Sequence, residues 1–183
     1  MVTITIGKLE FVPTGSRPDL LATPVAAALA GPYWCRVAAD VGVAEIDPDL
    51  ADTAAFCERY GVLLAESANC VVIVGRREGV TRFAACVVLA TSRADVNGVA
   101  RRALDVRKAS FAATEVAVAE TAMEYGGITP IGLPPEWPVL IDAAVAAAPQ
   151  VVIGSGLRKS KLALAGKTLA DLPQAAVIAN LGR

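Results

Sequence analysis

Two apolar runs separated by a short polar turn constrain the fold of this chain more than any other feature. The runs are NCVVIVG (69–75) and RFAACVVLAT (82–91), and the segment between them, RREGVT, contains Gly79. Valine-rich runs of this length, joined through a glycine-containing turn, predict an antiparallel β-hairpin over about residues 70–90. A hairpin excludes an all-parallel sheet, so we expect a mixed sheet with this hairpin at its centre.

Other strand and helix patterns follow one another closely on both sides of the hairpin, and no linker divides the chain. We predict about seven strands and four or five short helices, which together make one α/β domain over residues 1–183 with a mixed, curved, barrel-like sheet. The remaining strands are predicted in 2–11, 41–46, 106–112, 138–142, 151–156 and the C-terminal segments; the helices are predicted in 20–30, 47–61, 92–105, 114–124 and 143–148.

Composition excludes several kinds of chemistry. The 183 residues include no histidine, which removes Ser-His and Cys-His catalytic pairs and most catalytic zinc sites. The four cysteines are irregularly spaced, so we expect reduced thiols and no bound metal or cofactor. The longest apolar runs are too short to cross a membrane and no secretory signal is recognisable. We therefore expect a cytoplasmic protein without a membrane partner.

Charge is distributed unevenly along a chain whose net charge is −1. Residues 1–70 carry four basic and nine acidic side chains, whereas residues 71–183 carry thirteen basic and nine acidic ones. A basic second half favours contact with a polyanion. A solvated surface whose charges are unevenly distributed, with no partner, would give the same numbers of basic and acidic residues.

Two glycine-containing loops are the candidate ligand-binding segments. The first, MEYGGITPIGLPPEWP (123–138), is too rich in glycine and proline for a helix or strand and too apolar for an idle linker. The second, GSG at 154–156, directly follows the apolar run VVI. Glycine lets backbone amides approach a ligand closely, so both loops are suited to hold a carbonyl, carboxyl or phosphate oxygen. A plain helix stop followed by a crossover would explain the first loop equally well.

The order of these segments resembles that of the YbaK/EbsC family, also called the prolyl-tRNA synthetase associated domain. YGGITPIG (125–132), then VLID (139–142), then a strand entering GSG, is similar to the family's series of motifs. The resemblance covers about residues 45–173 and leaves 1–40 as an N-terminal extension that we expect to pack on the domain. Families of this type hydrolyse the ester of mischarged aminoacyl-tRNA, some acting on Cys or Ala attached to the proline tRNA.

The resemblance implies a set of site residues. Gly126, Gly127, Pro130 and Gly132 would form one wall of an aminoacyl pocket, which a side chain at position 127 would fill. Gly154, Ser155 and Gly156 would form the other wall, with amides facing the ester carbonyl. Asp142 would cap a helix behind the pocket rather than act in chemistry.

One position departs from the family pattern. The lysine that the family commonly places before the first hairpin strand falls on Ala68 or Asn69, and asparagine brings a hydrogen bond without a positive charge. Asn69, Ser155 and Gly156 are therefore the predicted catalytic residues, with Arg76, Lys108 or Lys159 as possible substitutes for the missing cation.

The implied partner is the aminoacylated 3′ end of a tRNA, together with an aminoacyl-tRNA synthetase, and not DNA. The basic residues predicted to contact the tRNA backbone are Arg101, Arg102, Arg107, Lys108, Arg158, Lys159 and Lys161. The leading hypothesis is a trans-acting editing hydrolase. The alternatives are a binding module of the same fold that has lost hydrolysis and, more remotely, a thiol enzyme using Cys70.

Overall fold

The computed structural model of the protein describes residues 3–183; Met1 and Val2, where the predicted domain and first strand begin, lie outside the described residues. Within that range ten strands form two five-stranded sheets, ordered β1-β2-β3-β9-β8 and β10-β7-β5-β4-β6. The strands are β1 (Ile4–Ile6), β2 (Leu9–Pro13), β3 (Gly42–Glu45), β4 (Ala68–Arg77), β5 (Val80–Leu89), β6 (Ala109–Phe111), β7 (Val139–Asp142), β8 (Val151–Gly154), β9 (Ser160–Leu164) and β10 (Ala175–Ile178).

The two sheets meet where β4 begins beside β8. Ser67 forms a parallel bridge with Val152 at this point, and the combined sheet curls into a half-barrel. The β5–β7 and β7–β10 pairs are parallel and the other strand pairs are antiparallel. The predicted fold class, a single mixed α/β domain with a curved sheet and short helices, is confirmed.

The predicted hairpin is β4–β5, and it occupies the centre of its sheet. The ladder runs from Ala68 opposite Leu89 to Arg77 opposite Val80. Glu78 and Gly79 form the two-residue turn with φ of +52° and +82°, the backbone of a type I′ turn, whose twist matches that of the paired strands.

Six short α-helices flank the sheets within residues 3–183, and the five helices predicted from the sequence are all shorter in the structure. They are α1 (Thr23–Leu29), α2 (Thr53–Tyr60), α3 (Arg101–Ala103), α4 (Thr114–Thr121), α5 (Ala143–Ala147) and α6 (Gly166–Ala170). The helix predicted over 92–105 is a π-helical turn, Val96–Ala100, followed by α3. The helix predicted over 114–124 ends at Thr121, because Ala122 already adopts left-handed φ of +53°. No helix among residues 3–183 is long and apolar enough to span a membrane.

The N-terminal segment belongs to the same core as the rest of the chain. β2 pairs with β3, and Val25 and Leu29 of α1 are buried in one cluster with Val87 and Ile141 of the other sheet. Residues 1–40 lie outside the family resemblance, yet their described part adds β1 and β2 to one sheet and α1 to the core.

Candidate functional site

A cavity of about 420 Å³ opens at the junction of the two sheets. Its walls come from the start of α2, the start of β4, the end of β6, the end of β8 and the loop 125–128. A volume of this size lies within the range of small-ligand sites, and the junction brings together segments that are far apart in sequence.

One wall of the cavity is polar. The Thr53 hydroxyl donates a hydrogen bond to Oδ1 of Asn69 over 2.6 Å, which leaves the Asn69 amide hydrogens for a ligand. Asp52, at the N-cap position of α2, lines the same wall, and its side chain makes no capping bond. Asn69 was predicted as a catalytic residue; the structure brings it to the cavity, and its chemical role stays a prediction.

A lysine that sequence reasoning placed on the surface lies at this wall. Lys161 of β9 is only 8% exposed and lines the cavity. Its ammonium donates to the carbonyl oxygens of Ala51 at 2.9 Å and Gly126 at 3.4 Å. Burial, followed by repulsion from Arg158, lowers the pKa of Lys161 to about 8. Lys161 was predicted to contact the tRNA backbone; the structure places its ammonium at the cavity wall, and that contact stays a prediction.

The remaining walls are apolar and the rim is aromatic. Small and medium side chains form the interior, including Ala68, Val72, Ala117, Ile128 and Ile153. Phe111 and Tyr125 also line the cavity, and each is 59% exposed. Two exposed aromatic rings at the edge of one cavity are a feature that the sequence analysis missed.

The two glycine loops are in direct contact, which confirms the prediction that they lie together. The Gly156 N–H donates to the carbonyl oxygen of Gly127 over 2.7 Å. A Cβ on Gly154 would overlap the same carbonyl oxygen, so only glycine permits this approach. Among the loop residues predicted to bind substrate, Gly126 and Gly154 line the cavity.

The predicted catalytic residues Ser155 and Gly156 make their hydrogen bonds within the two glycine loops, and their chemical roles stay a prediction. Ser155 is fully buried, and its hydroxyl lies 2.7 Å from the Ser160 hydroxyl inside the turn. The Gly156 N–H is occupied by the neighbouring loop, so it does not face a ligand carbonyl. These two residues fix the turn rather than line the cavity.

Gly127, Pro130 and Gly132 pack their loop against other segments and lie outside the cavity lining. A Cβ on Gly127 would lie 2.6 Å from the Leu157 backbone, and one on Gly132 would lie 2.5 Å from the Pro24 carbonyl oxygen. Pro130 is buried. A side chain at position 127 would therefore force the loops apart instead of filling a pocket lip. Asp142 caps α5 as predicted, accepting from the Ala144 N–H over 2.9 Å.

The other predicted tRNA-contacting residues fall into two groups. Arg101, Arg102 and Arg107 line a groove of about 390 Å³ near the far end of β4, and Lys108 is exposed next to them in sequence. Arg158 instead ties loops together, since its guanidinium donates to the carbonyl oxygens of Pro48 and Tyr125.

The predicted substitutes for the missing cation also lie outside the cavity. Arg76, Lys108 and Lys159 are all exposed and none lines it, so the structure brings none of these three charges to the cavity wall. Cys70 does line the cavity, but burial raises the pKa of its thiol. A catalytic thiol needs a lowered pKa, which argues against the thiol-enzyme alternative.

Comparisons with known proteins agree with this geometry. The family model for the aminoacyl-tRNA editing domain matches residues 47–172, more than half of the chain. No curated protein matches the sequence significantly.

Three solved structures share the fold. A scaffold used for computational grafting of an epitope backbone has a TM-score of 0.70 and 22% identity, with 88% of this chain and 96% of that chain covered. A candidate trans-editing enzyme for prolyl tRNA synthetase has the same TM-score and identity, with coverages of 86% and 94%. A hypothetical protein has a TM-score of 0.64 and 20% identity, with coverages of 73% and 85%. At these identities the likeness establishes the fold alone.

Proposed function

The chain belongs to the aminoacyl-tRNA editing domain family, and from this premise we propose that it is a trans-acting hydrolase that deacylates mischarged tRNA. Water attacks the aminoacyl carbonyl carbon, and the bond to the ribose oxygen then breaks. The products are the free amino acid and a tRNA with a free 3′-terminal hydroxyl. The observation that carries this proposal is a cavity with a polar wall, a small apolar interior and an aromatic rim.

The aromatic rim suits the end of a single-stranded nucleic acid. Phe111 and Tyr125 expose most of their rings on the protein surface, where they cost free energy unless a partner covers them. Stacking of bases on aromatic side chains contributes about 1–3 kcal/mol per base and tolerates any sequence. We assign these two rings to the terminal nucleotides of the tRNA.

The interior favours a small amino acid. Alanines 51, 68, 112 and 117 lie on its walls, while Val72, Ile128 and Ile153 limit its depth. A side chain such as that of alanine or cysteine needs no polar partner there, whereas a long charged side chain would leave its charge buried and unpaired. The proposed substrate is therefore a Cys- or Ala-tRNA(Pro)-like species, and a prolyl-tRNA synthetase is the proposed partner by analogy with the similar trans-editing protein.

The test is a deacylation screen of the purified protein against a panel of mischarged tRNAs. We expect hydrolysis to be fastest with small amino acids and to fall when Phe111 and Tyr125 are both replaced by alanine. Val80→Ala is the matched control, because Val80 is equally exposed but lies at the hairpin turn. Binding of tRNA without hydrolysis of any aminoacyl species would favour the alternative, a binding module of the same fold. Absence of tRNA binding would refute both.

A further inference from the structure

The ammonium group of Lys161 is buried, and neighbouring groups compensate its positive charge only in part. Among the ion pairs formed by residues 3–183, none includes Lys161, and its Nζ contacts two backbone carbonyl oxygens instead. The Phe56 ring covers another side, with its centroid 5.3 Å from Nζ. Burying a charge without a counter-ion is costly, so its retention at a cavity wall calls for a role.

The geometry leaves one donor of this ammonium for a ligand. A protonated lysine carries three N–H groups, and the Ala51 and Gly126 carbonyls accept two of them. Both carbonyls belong to residues that line the cavity, as does Lys161 itself. The third N–H is therefore directed toward the cavity, because the two hydrogen bonds to backbone carbonyl oxygens fix the orientation of the ammonium group.

We propose that Lys161 donates this third N–H to the carbonyl oxygen of the scissile aminoacyl ester and stabilises the oxyanion formed when water adds to the carbonyl carbon. This inference rests on the proposed hydrolysis and names the group that makes the cavity catalytic. The oxygen gains negative charge as the carbon–oxygen double bond opens. An electron pair of the oxyanion then re-forms the carbon–oxygen double bond as the bond to the ribose oxygen breaks, and the leaving ribose oxygen takes the negative charge and the proton released by the attacking water.

Other groups near Lys161 keep the lysine in the form that this role requires. Desolvation, followed by Arg158, lowers the pKa of Lys161 to about 8, and the carboxylate of Asp52, at the start of α2, opposes that decrease. Burial raises the pKa of the neighbouring Cys57 thiol, which therefore adds no charge at this pH. Most Lys161 side chains are therefore protonated at neutral pH. A polyanionic tRNA bound at the cavity would favour the charged form further.

The direct test replaces Lys161 by methionine, which keeps the length and apolar stem of the side chain and removes the donor. We expect kcat to fall about 100-fold because one preorganised oxyanion donor is lost, and KM to rise about fivefold because the contact to the ground-state carbonyl is lost as well. Lys167→Met is the matched control, since Lys167 is exposed and paired with Asp171. A Lys161→Met rate within threefold of the wild-type rate, in a protein that is folded at the assay temperature, would overturn the inference.

A second measurement needs no variant. After subtraction of spontaneous ester hydrolysis, the wild-type rate should fall as the pH rises through about 8, because the amine then loses the proton that the oxyanion needs. A rate that rises through the same pH would overturn the inference, since it would make the neutral amine a general base.

Failure of this inference can be separated from failure of the proposed function. An amide-linked aminoacyl-adenosine keeps the carbonyl oxygen and cannot be hydrolysed by this route, so its affinity reports the carbonyl contact alone. We expect Lys161→Met to weaken its binding at least fivefold and Lys167→Met to leave it unchanged. If the wild type hydrolyses no substrate but shows this pattern, hydrolysis is refuted and the contact stands. If it hydrolyses substrate but Lys161→Met changes neither rate nor affinity, the contact is refuted.

Discussion

The buried ammonium of Lys161 makes the stability of the folded chain depend on pH in a defined direction. Its pKa is lowered, first by burial and then by Arg158, to about 8 from the ordinary 10.5. Below pH 8 the folded and unfolded chains both carry the proton, and the full cost of burying the charge is present. Between pH 8 and 10.5 the unfolded chain binds the proton and the folded chain does not, so the free energy of unfolding rises with pH.

The size of this effect follows from the two pKa values. Their difference corresponds to about 3 kcal/mol in total, of which about 2 kcal/mol falls between pH 7.5 and pH 10. Chemical denaturation of the wild type and of Lys161→Met at these two pH values measures it. The variant lacks this titration while sharing the other ionisable groups, so the wild type should gain about 2 kcal/mol of unfolding free energy relative to it.

Lys167→Met controls for the loss of a lysine as such. The hydrogen bond to Asp171 raises the pKa of Lys167, so the contribution of Lys167 to the free energy of unfolding decreases as the pH rises. If the wild type and Lys161→Met instead change in parallel from pH 7.5 to pH 10, the ammonium is solvated in the folded protein. That result would refute a desolvated cation at the cavity wall.

Three further predictions follow from packing and charge. Gly154→Ala should lower the free energy of unfolding by about 3 kcal/mol, since the new methyl group overlaps a carbonyl oxygen of the other glycine loop. Thermal denaturation measures this loss, and Gly15→Ala, whose methyl group enters open space, is the control that should show none. Reversing Arg102 and Arg107 to glutamate should weaken tRNA binding and reduce the slope of log K against log salt by about 1 per residue. Thr129→Val should stabilise the protein by about 1 kcal/mol in urea denaturation, because the Thr129 hydroxyl is buried without a partner.

The parts of the fold that could be predicted from sequence are those with strong local signals. The hairpin combines two apolar runs with a glycine turn, and each glycine loop follows a recognisable element. Helix lengths were predicted less well, because the residues of 92–105 form a π-helical turn capped by Asp95 instead of a regular helix. That choice depends on packing against the β-sheet, which a local pattern does not contain.

The burial of Lys161 was not predicted, because its neighbours in sequence are charged. RKSK (158–161) has the composition of a solvated edge, and a strand with one exposed face would place a lysine there on the outside. β9 lies between β3 and β8, however, and all five of its residues are buried. The informative signal was the apolar run LAL directly after the lysine, which indicates an interior strand.

In the proposed site, Lys161 supplies the hydrogen-bond donor and the two glycine loops position it. Had the loop amides been available, the backbone could have stabilised an oxyanion without a buried charge. The Gly156 N–H is instead bonded to Gly127, and the Ser155 hydroxyl to Ser160, so the contact between the loops removes these donors. That same contact holds the Gly126 carbonyl where it accepts from Lys161. In the proposed mechanism the loops act through the lysine that they position, and loosening them should reduce catalysis by moving the ammonium.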